Sequence, residues 1–436
     1  TLARCCAAQE RRFLELKMIE LSHAVLRWFR PLHFFLSSLS RSTGLIGPWT
    51  SRYAGRAKTV HRPLQDRIIH DERDVLLGRA DVDLTAPQIA AVYHGQSVLI
   101  TGAGGSVGSE LARQVIEACP RLLVLLDHSE LALYQIDRKL REAARANGVV
   151  LRPVLASVTD AARVLSTLSQ NEVSIVLHAA AYKHVALIEE NEIAGVLNNV
   201  IGTQVMADVA RQSGVKRFVL VSTDKAVRPK NIMGATKRLA ELVVQDIQTR
   251  APGTIFSMVR FGNVVGSSGS VVPLFQEQIA AGGPVTITHK DVSRYFMTIP
   301  EAAHLVLSAS AFARGGDLFM LDMGKPVRIV DLARRIARHS GVRIRDECAP
   351  DGEIDLQITG LRRGEKLIEE LLVSATLEPT PHRKIFRASP KGISELEMAR
   401  ILRDLATAVA HDDNASARRI VTSALSEDRI PEQTAI

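Results

Sequence analysis

The sequence predicts a doubly wound α/β fold, a parallel sheet with helices on both faces. A smaller C-terminal part and a basic, helical N-terminal extension are expected beside it. Three observations carry this. From residue 95 onward, short apolar runs alternate with amphipathic helical stretches. The first runs are continuously apolar rather than alternating, as strands buried on both faces must be. The first of them leads into Thr101-Gly-Ala-Gly-Gly-Ser-Val-Gly108.

Residues 1–72 read as the extension and its linker. The first eighty residues hold fourteen Lys and Arg against seven Asp and Glu. The whole chain carries +8, so the rest is close to neutral, which argues against a nucleic-acid role for the core. Residues 12–40 mix basic residues with Trp28, Phe29, Phe34 and Phe35. The apolar run there is too short to span a bilayer. It suits a helix lying on anionic lipid, or equally one packed on its own enzyme or a partner. Residues 41–65, rich in Gly, Pro, Ser and Arg, read as a linker. The chain begins at Thr1, so further sequence upstream is expected.

Strands are expected at 97–101, 121–127, 149–155, 173–179, 216–222 and 254–260. Helices are expected at 109–118, 129–146, 160–169, 194–213 and 233–249. Residues 73–260 would form the dinucleotide-binding domain. Residues 261–390 would form a substrate-binding part interleaved with the same sheet. Gly, Ser and Pro enrich 262–300, which suits substrate-contacting loops. Residues 391–436 read as a terminal helical region.

Strand, glycine turn and helix N-terminus together make a pyrophosphate cradle. Gly102, Gly105, Ser106, Val107 and Gly108 would present backbone N–H groups to the anion. Asp127 closes the next strand nineteen residues after Gly108, where a carboxylate holds the adenosine ribose hydroxyls. It would repel a 2′-phosphate, so NAD is favoured over NADP. Cys5, Cys6, Cys119 and Cys348 show neither metal nor disulfide spacing, which points to a reducing compartment. The thirteen histidines form no ligand cluster, and no metal is expected. A cytoplasmic protein follows, peripheral at the inner face of the membrane if residues 12–40 bind lipid.

Eight motifs in order resemble the nucleotide-sugar 4,6-dehydratases of the extended short-chain dehydrogenase/reductase superfamily. The resemblance is strongest to the UDP-N-acetylglucosamine branch serving bacterial surface polysaccharides. The motifs are Asp74-Val-Leu-Leu-Gly-Arg79, the glycine turn, His178-Ala-Ala-Ala-Tyr-Lys-His-Val185 and Asn198-Asn-Val-Ile-Gly-Thr203. Then come Ser222-Thr-Asp-Lys225, Arg260-Phe-Gly-Asn-Val-Val-Gly266, Arg294-Tyr-Phe-Met-Thr298 and Gly360-Leu-Arg-Arg-Gly-Glu-Lys366. The resemblance covers residues 73 to 375 and implies a Rossmann fold, a UDP-sugar substrate and a homo-oligomer.

Dehydration across carbons 5 and 6 is hard because the carbon 5 proton is not acidic. Oxidising carbon 4 makes it so, an amine then removes it, and an acid protonates the departing hydroxyl. The resemblance implies Asp224 as the acid and Lys225 as the base. Thr223 would bond the sugar near carbon 4. Lys237 would hold the nicotinamide ribose. Ser222, Ala179, Ala180 and Ala181 would lie along the cofactor. Lys183, Asn199, Asn263, Arg294 and Arg362 are candidates for the sugar and diphosphate side, Asn199 as a buttress.

Met233 departs from the usual Tyr-x-x-x-Lys. A thioether cannot exchange the carbon 4 hydroxyl proton, so Asp224 would serve as first base and later as acid. Arg363 stands where the family usually has proline. Two other classes stay open: a 4-epimerase, which needs a tyrosine-type base and no acid–lysine pair, and a non-catalytic NAD-binding protein.

Overall fold

The structure, a computed structural model, describes residues 87–346, 349–370, 377–388 and 392–425. Residues 12–40, and the remainder of the expected extension, lie outside the described residues.

The first six strands are Ser97–Thr101 (β1), Leu122–Asp127 (β2), Val150–Leu155 (β3), Ile175–His178 (β4), Arg217–Val221 (β5) and Ile255–Arg260 (β6). Further along the chain come Asn263–Val264 (β7), Val285–Ile287 (β8), Ser293–Arg294 (β9), Phe296–Met297 (β10) and Asp317–Leu321 (β11). The last are Val327–Arg328 (β12), Ile344–Arg345 (β13), Ile354–Ile358 (β14), Leu377–Pro379 (β15) and Ile385–Ala388 (β16). Among the described residues the main sheet runs β15-β16-β11-β6-β5-β4-β1-β2-β3. β3 through β11 pair in parallel, and β16 and β15 add an antiparallel edge. This is the doubly wound order, with its switch point between β1 and β4. Ligands of such sheets sit in the crevice beyond the strand ends at that point, where Thr101 is in register with His178.

Alternate residues of each strand feed opposite cores. Leu99, Val124, Val176, Phe218 and Met258 face the helices Ala161–Gln170, Gly202–Gln212 and Ile232–Thr249. Val98, Ile100, Leu123, Leu177 and Val259 face Ser106–Glu117, Glu130–Ala146 and Ile299–Phe312. A third, smaller core gathers Phe275, Val285, Ile287, Phe296, Leu332 and Ile354 around the sheet β13-β14-β8. The C-terminal helices Glu395–Ala410 and Asn414–Ala424 pack on the helix Ile232–Thr249.

Three elements differ from the sequence expectation. The first crossover helix begins at Ser106, so the last glycine of the turn lies inside it. The stretch expected as one helix over 194–213 is two, Glu192–Val196 and Gly202–Gln212, joined by a π-helical turn at Leu197–Ile201. The loop-like segment 262–300 contains the helix Val271–Ala280. Its Pro273 sits in the first turn, where no intrahelical N–H is lost.

Candidate active site

The switch point opens into a cavity of about 860 Å³. Gly102, Gly105, Ser106, Val107 and Gly108 line one end. Gly102 has φ +63°, and a Cβ there would lie 2.8 Å from Ala180 Cα. A Cβ on Gly108 would lie 2.1 Å from the Gly102 carbonyl oxygen. Any side chain at either position displaces backbone. No side chain caps the helix that starts at Ser106, so its first turn keeps N–H groups for an anion. These residues fit the pyrophosphate of a dinucleotide.

Asp127 does not line the cavity wall. It is buried at the end of β2, and its two carboxylate oxygens each accept one backbone N–H, from Gly104 and Ser129, at 2.9 Å. The carboxylate therefore pins the glycine turn to β2, and each oxygen keeps a lone pair beside that turn for a further donor.

The floor rests on a fixed histidine. His178 is fully buried, and Thr101 Oγ1 lies 2.7 Å from its Nδ1. Thr203 Oγ1 lies 3.1 Å from Nε2 but donates its proton to the Asn199 carbonyl. The ring must therefore donate from Nε2 and accept at Nδ1. Burial, helped by the charge on Lys237, pushes its pKa down to about 3 and keeps it neutral.

β5 leads into Ser222-Thr-Asp-Lys225, and Asp224–Ala226 form a 3₁₀ turn. Lys225 Nζ donates to Asp224 Oδ1 at 3.1 Å and to Asn263 Oδ1 at 2.9 Å. Two of its three ammonium protons are thus fixed, and the third direction is open. Thr223 donates its hydroxyl proton to the same Asp224 oxygen at 3.0 Å. Thr223, Lys225, Met233 and Asn263 all line the cavity. Asp224 does not: it has no exposed surface, and its Oδ2 finds no partner among the described residues. Gly262 makes room for that oxygen, since a Cβ there would lie 2.9 Å from it.

Ala179, Ala181, Lys183, Ser222, Lys237, Arg294 and Arg362 complete the lining predicted from sequence. The Ser222 hydroxyl turns away and donates to buried Glu241 at 2.6 Å, which also binds Arg260 at 2.7 Å. Lys237 Nζ donates to the Val221 carbonyl at 2.7 Å. Burial pushes its pKa down to about 8, opposed by the charge of Glu241 one turn along the helix. Arg294 is held by Glu365 at 3.0 Å and by the Leu367 carbonyl at 3.1 Å.

Two expected contacts lie behind the wall. Ala180 is absent from the lining and instead receives the close approach of Gly102. Asn199, grouped above with the substrate contacts, is fully buried in the π turn. Its Oδ1 accepts from Tyr182 N and Asn198 Nδ2, and its Nδ2 donates to Tyr182 O and Thr236 Oγ1. All four hydrogen-bonding positions are spent, so it braces the Ala181–Lys183 wall and has nothing left for a sugar.

Sequence reasoning missed an apolar wall made by Leu187, Leu274, Phe275, Phe296 and Ile329. These residues come from elements far apart in the chain, and only Phe296 falls in a quoted motif. It also missed Glu365 as the partner of Arg294, although both stand in quoted motifs.

Residues 98–390 match the family described as polysaccharide biosynthesis protein. The chain belongs to this family. It is 45% identical over 335 residues to the capsular polysaccharide biosynthesis protein CapD of Staphylococcus aureus, covering 77% of this chain and 55% of that one. The chain thus spans about half the length of that relative. It is 31% identical over 288 residues to an inverting UDP-N-acetylglucosamine 4,6-dehydratase of Campylobacter jejuni, covering 65% of this chain and 79% of that one. The X-ray structure of Pen from Bacillus thuringiensis is 30% identical, with a TM-score of 0.61, covering 71% of this chain and 98% of that one. The family fold is the Rossmann type described above. Among the described residues no helix is long and apolar enough to cross a membrane.

Proposed function

We propose that the chain is an NAD-dependent UDP-N-acetylglucosamine 4,6-dehydratase that forms the 4-keto-6-deoxy sugar nucleotide for surface polysaccharide. The observation that carries this is the Asp224–Lys225 pair, set at the end of β5 with Lys225 opening into the cavity beside Met233. An epimerase has no use for that pair and would need a proton-accepting base where this chain has Met233.

NAD, when bound, supplies the hydride acceptor at carbon 4 and the hydride donor at carbon 6, so it ends the cycle as it began. The chain's own residues move protons. Asp224 is sealed from the cavity, but Thr223 lines it and already donates to Asp224. The carbon 4 hydroxyl therefore gives its proton to Thr223 Oγ1 as Thr223 passes its own to Asp224. Lys225, as a free amine, takes the carbon 5 proton along its one open direction. The proton stored on Asp224 returns through Thr223 to the carbon 6 hydroxyl, which leaves as water. Lys225 then returns a proton to carbon 5, and the count closes. Lys183 and Arg362 at the cavity wall suit the diphosphate, and the Asp127 carboxylate suits the adenosine ribose.

The test is incubation with UDP-N-acetylglucosamine while carbon 6 is followed by NMR. A deoxy methyl signal, without stoichiometric NADH, is expected. UDP-N-acetylgalactosamine as product would make the protein an epimerase, and an unchanged sugar would leave a binding protein.

A further inference from the structure

One corner of the cavity wall is made by two very short helices, Val185–Glu190 and Glu192–Val196. From them Leu187, Ile188, Asn191 and Ala194 line the cavity. Helices of this length do not hold themselves in water, and Asn191, the joint between them, is not helical. The corner therefore needs fixing from outside. Ile188 also packs with Ile232 and Met233 in a small apolar cluster, so the seat of the corner bears on Met233 as well.

The fixing comes from the far end of the chain. The residues that match the family end at 390, and the helix Asn414–Ala424 lies beyond them. Ala417 and Val421 are fully buried and seat this helix. Asn414 and Arg418 stand four residues apart beside that stripe, on one side of the helix. Arg418 Nε donates to Glu192 Oε1 at 2.6 Å, and its Nη2 donates to Glu189 Oε2 at 2.9 Å. Asn414 Oδ1 accepts from Ile193 N at 3.2 Å. One guanidinium thus clasps both short helices. Glu189 passes the tie on, because its Oε1 accepts from Ile232 N at 2.6 Å, at the start of the helix that carries Met233 and Lys237. Among the described residues, Arg418 is the one cation in ion-pair reach of either carboxylate, and Glu192 Oε2 is buried without a partner.

We propose that Arg418 is a positioning residue for the sugar nucleotide, and that the helix Asn414–Ala424 braces the wall against which the substrate binds. The proposal rests on reading the cavity as a UDP-sugar site. Without the guanidinium, Glu189 and Glu192, whose side chains are 10% and 11% exposed, become neighbouring carboxylates in a nearly dry corner. They repel each other and turn toward water. Ile232 N then loses its acceptor, and Leu187 and Asn191 leave the wall.

The test is Arg418→Met in the full chain, with Arg418→Lys beside it. Methionine keeps an aliphatic stem and loses the charge. Hydrogen exchange read by mass spectrometry should quicken about tenfold or more over residues 185–196, while the helix Ser106–Glu117 stays protected. The kcat/KM for UDP-N-acetylglucosamine should fall about tenfold, chiefly through KM. NAD affinity should hold, because the glycine turn has no tie to Arg418. Arg418→Lys should restore part of both losses. Should Arg418→Met fold poorly, Asn414→Ala, at an exposed position, removes only the tie to Ile193 and should shift both readouts the same way by less. Unchanged exchange over 185–196 overturns the inference, and so does faster exchange with KM unchanged. A rise in KM matched by an equal loss of NAD affinity marks general loosening and overturns it too. Faster exchange confined to 185–196, in a protein whose wild type does not act on UDP-N-acetylglucosamine, supports the brace and overturns the substrate reading instead.

Discussion

Lys225→Met should do more than remove a base. Asp224 has no exposed surface, and Lys225 is its cationic partner at 3.1 Å, itself 18% exposed. The substitution leaves a buried carboxylate with only the Thr223 hydroxyl on one oxygen and nothing on the other. Removing one member of a fully buried pair costs roughly 3–5 kcal/mol. Because water reaches Lys225 in part, about 2–3 kcal/mol is expected here. Adding Asp224→Asn removes the stranded charge and should recover about 1–2 kcal/mol, a coupling that a double-mutant cycle isolates. Urea denaturation of the four proteins at pH 7 gives the stabilities, and NMR at carbon 6 gives turnover. Both Lys225→Met proteins should be inactive. A stability equal to wild type in the single variant would refute the argument that this pair is buried and coupled. Substantial turnover would remove Lys225 from the chemistry.

Gly108→Ala should weaken NAD binding at least tenfold, measured by calorimetry, because its Cβ would overlap the Gly102 carbonyl oxygen at 2.1 Å. Met233→Tyr should keep dehydratase turnover within several-fold, since Thr223 and Asp224 already handle the carbon 4 proton. The larger ring in a 3% exposed site should cost about 1–3 kcal/mol of stability by denaturation. Acidification should destabilise the fold through His178. Between about pH 6.5 and pH 3 the unfolded chain binds a proton that the folded chain refuses. Stability should therefore fall by about 2 kcal/mol from pH 7 to pH 5 on this account, and His178→Gln should flatten that dependence in urea titrations.

The sheet was legible because strands buried on both faces leave uninterrupted apolar runs such as Leu122-Leu-Val-Leu-Leu126. The cofactor end was legible because a tight turn against Ala180 tolerates only glycine. The helix Val271–Ala280 was hidden by flanking Gly, Ser and Pro, which mark loops whatever lies between them. Residue types placed Asp224 and Lys225 side by side in the site. They could not reveal that Asp224 is walled off and reaches the cavity through Thr223, because its burial depends on other segments, such as the close approach of Gly262. Asn199 was placed with the substrate contacts, and its spent state was invisible; its four partners depend on an irregular turn that periodicity reads as plain helix.

That irregular turn has a practical consequence for anyone seeking a sturdier version of this protein. Leu197–Ile201 holds one residue more than an ordinary helical turn would. Substitutions chosen to raise helix propensity there, or deletion of one residue to regularise the spiral, would reward the straight form and rotate Asn199 away from Tyr182. The altered protein could melt later and still lose the brace behind Ala181 and Lys183. At this turn thermal robustness and a well-shaped cavity pull in opposite directions, and screening by melting temperature alone would select the wrong variants.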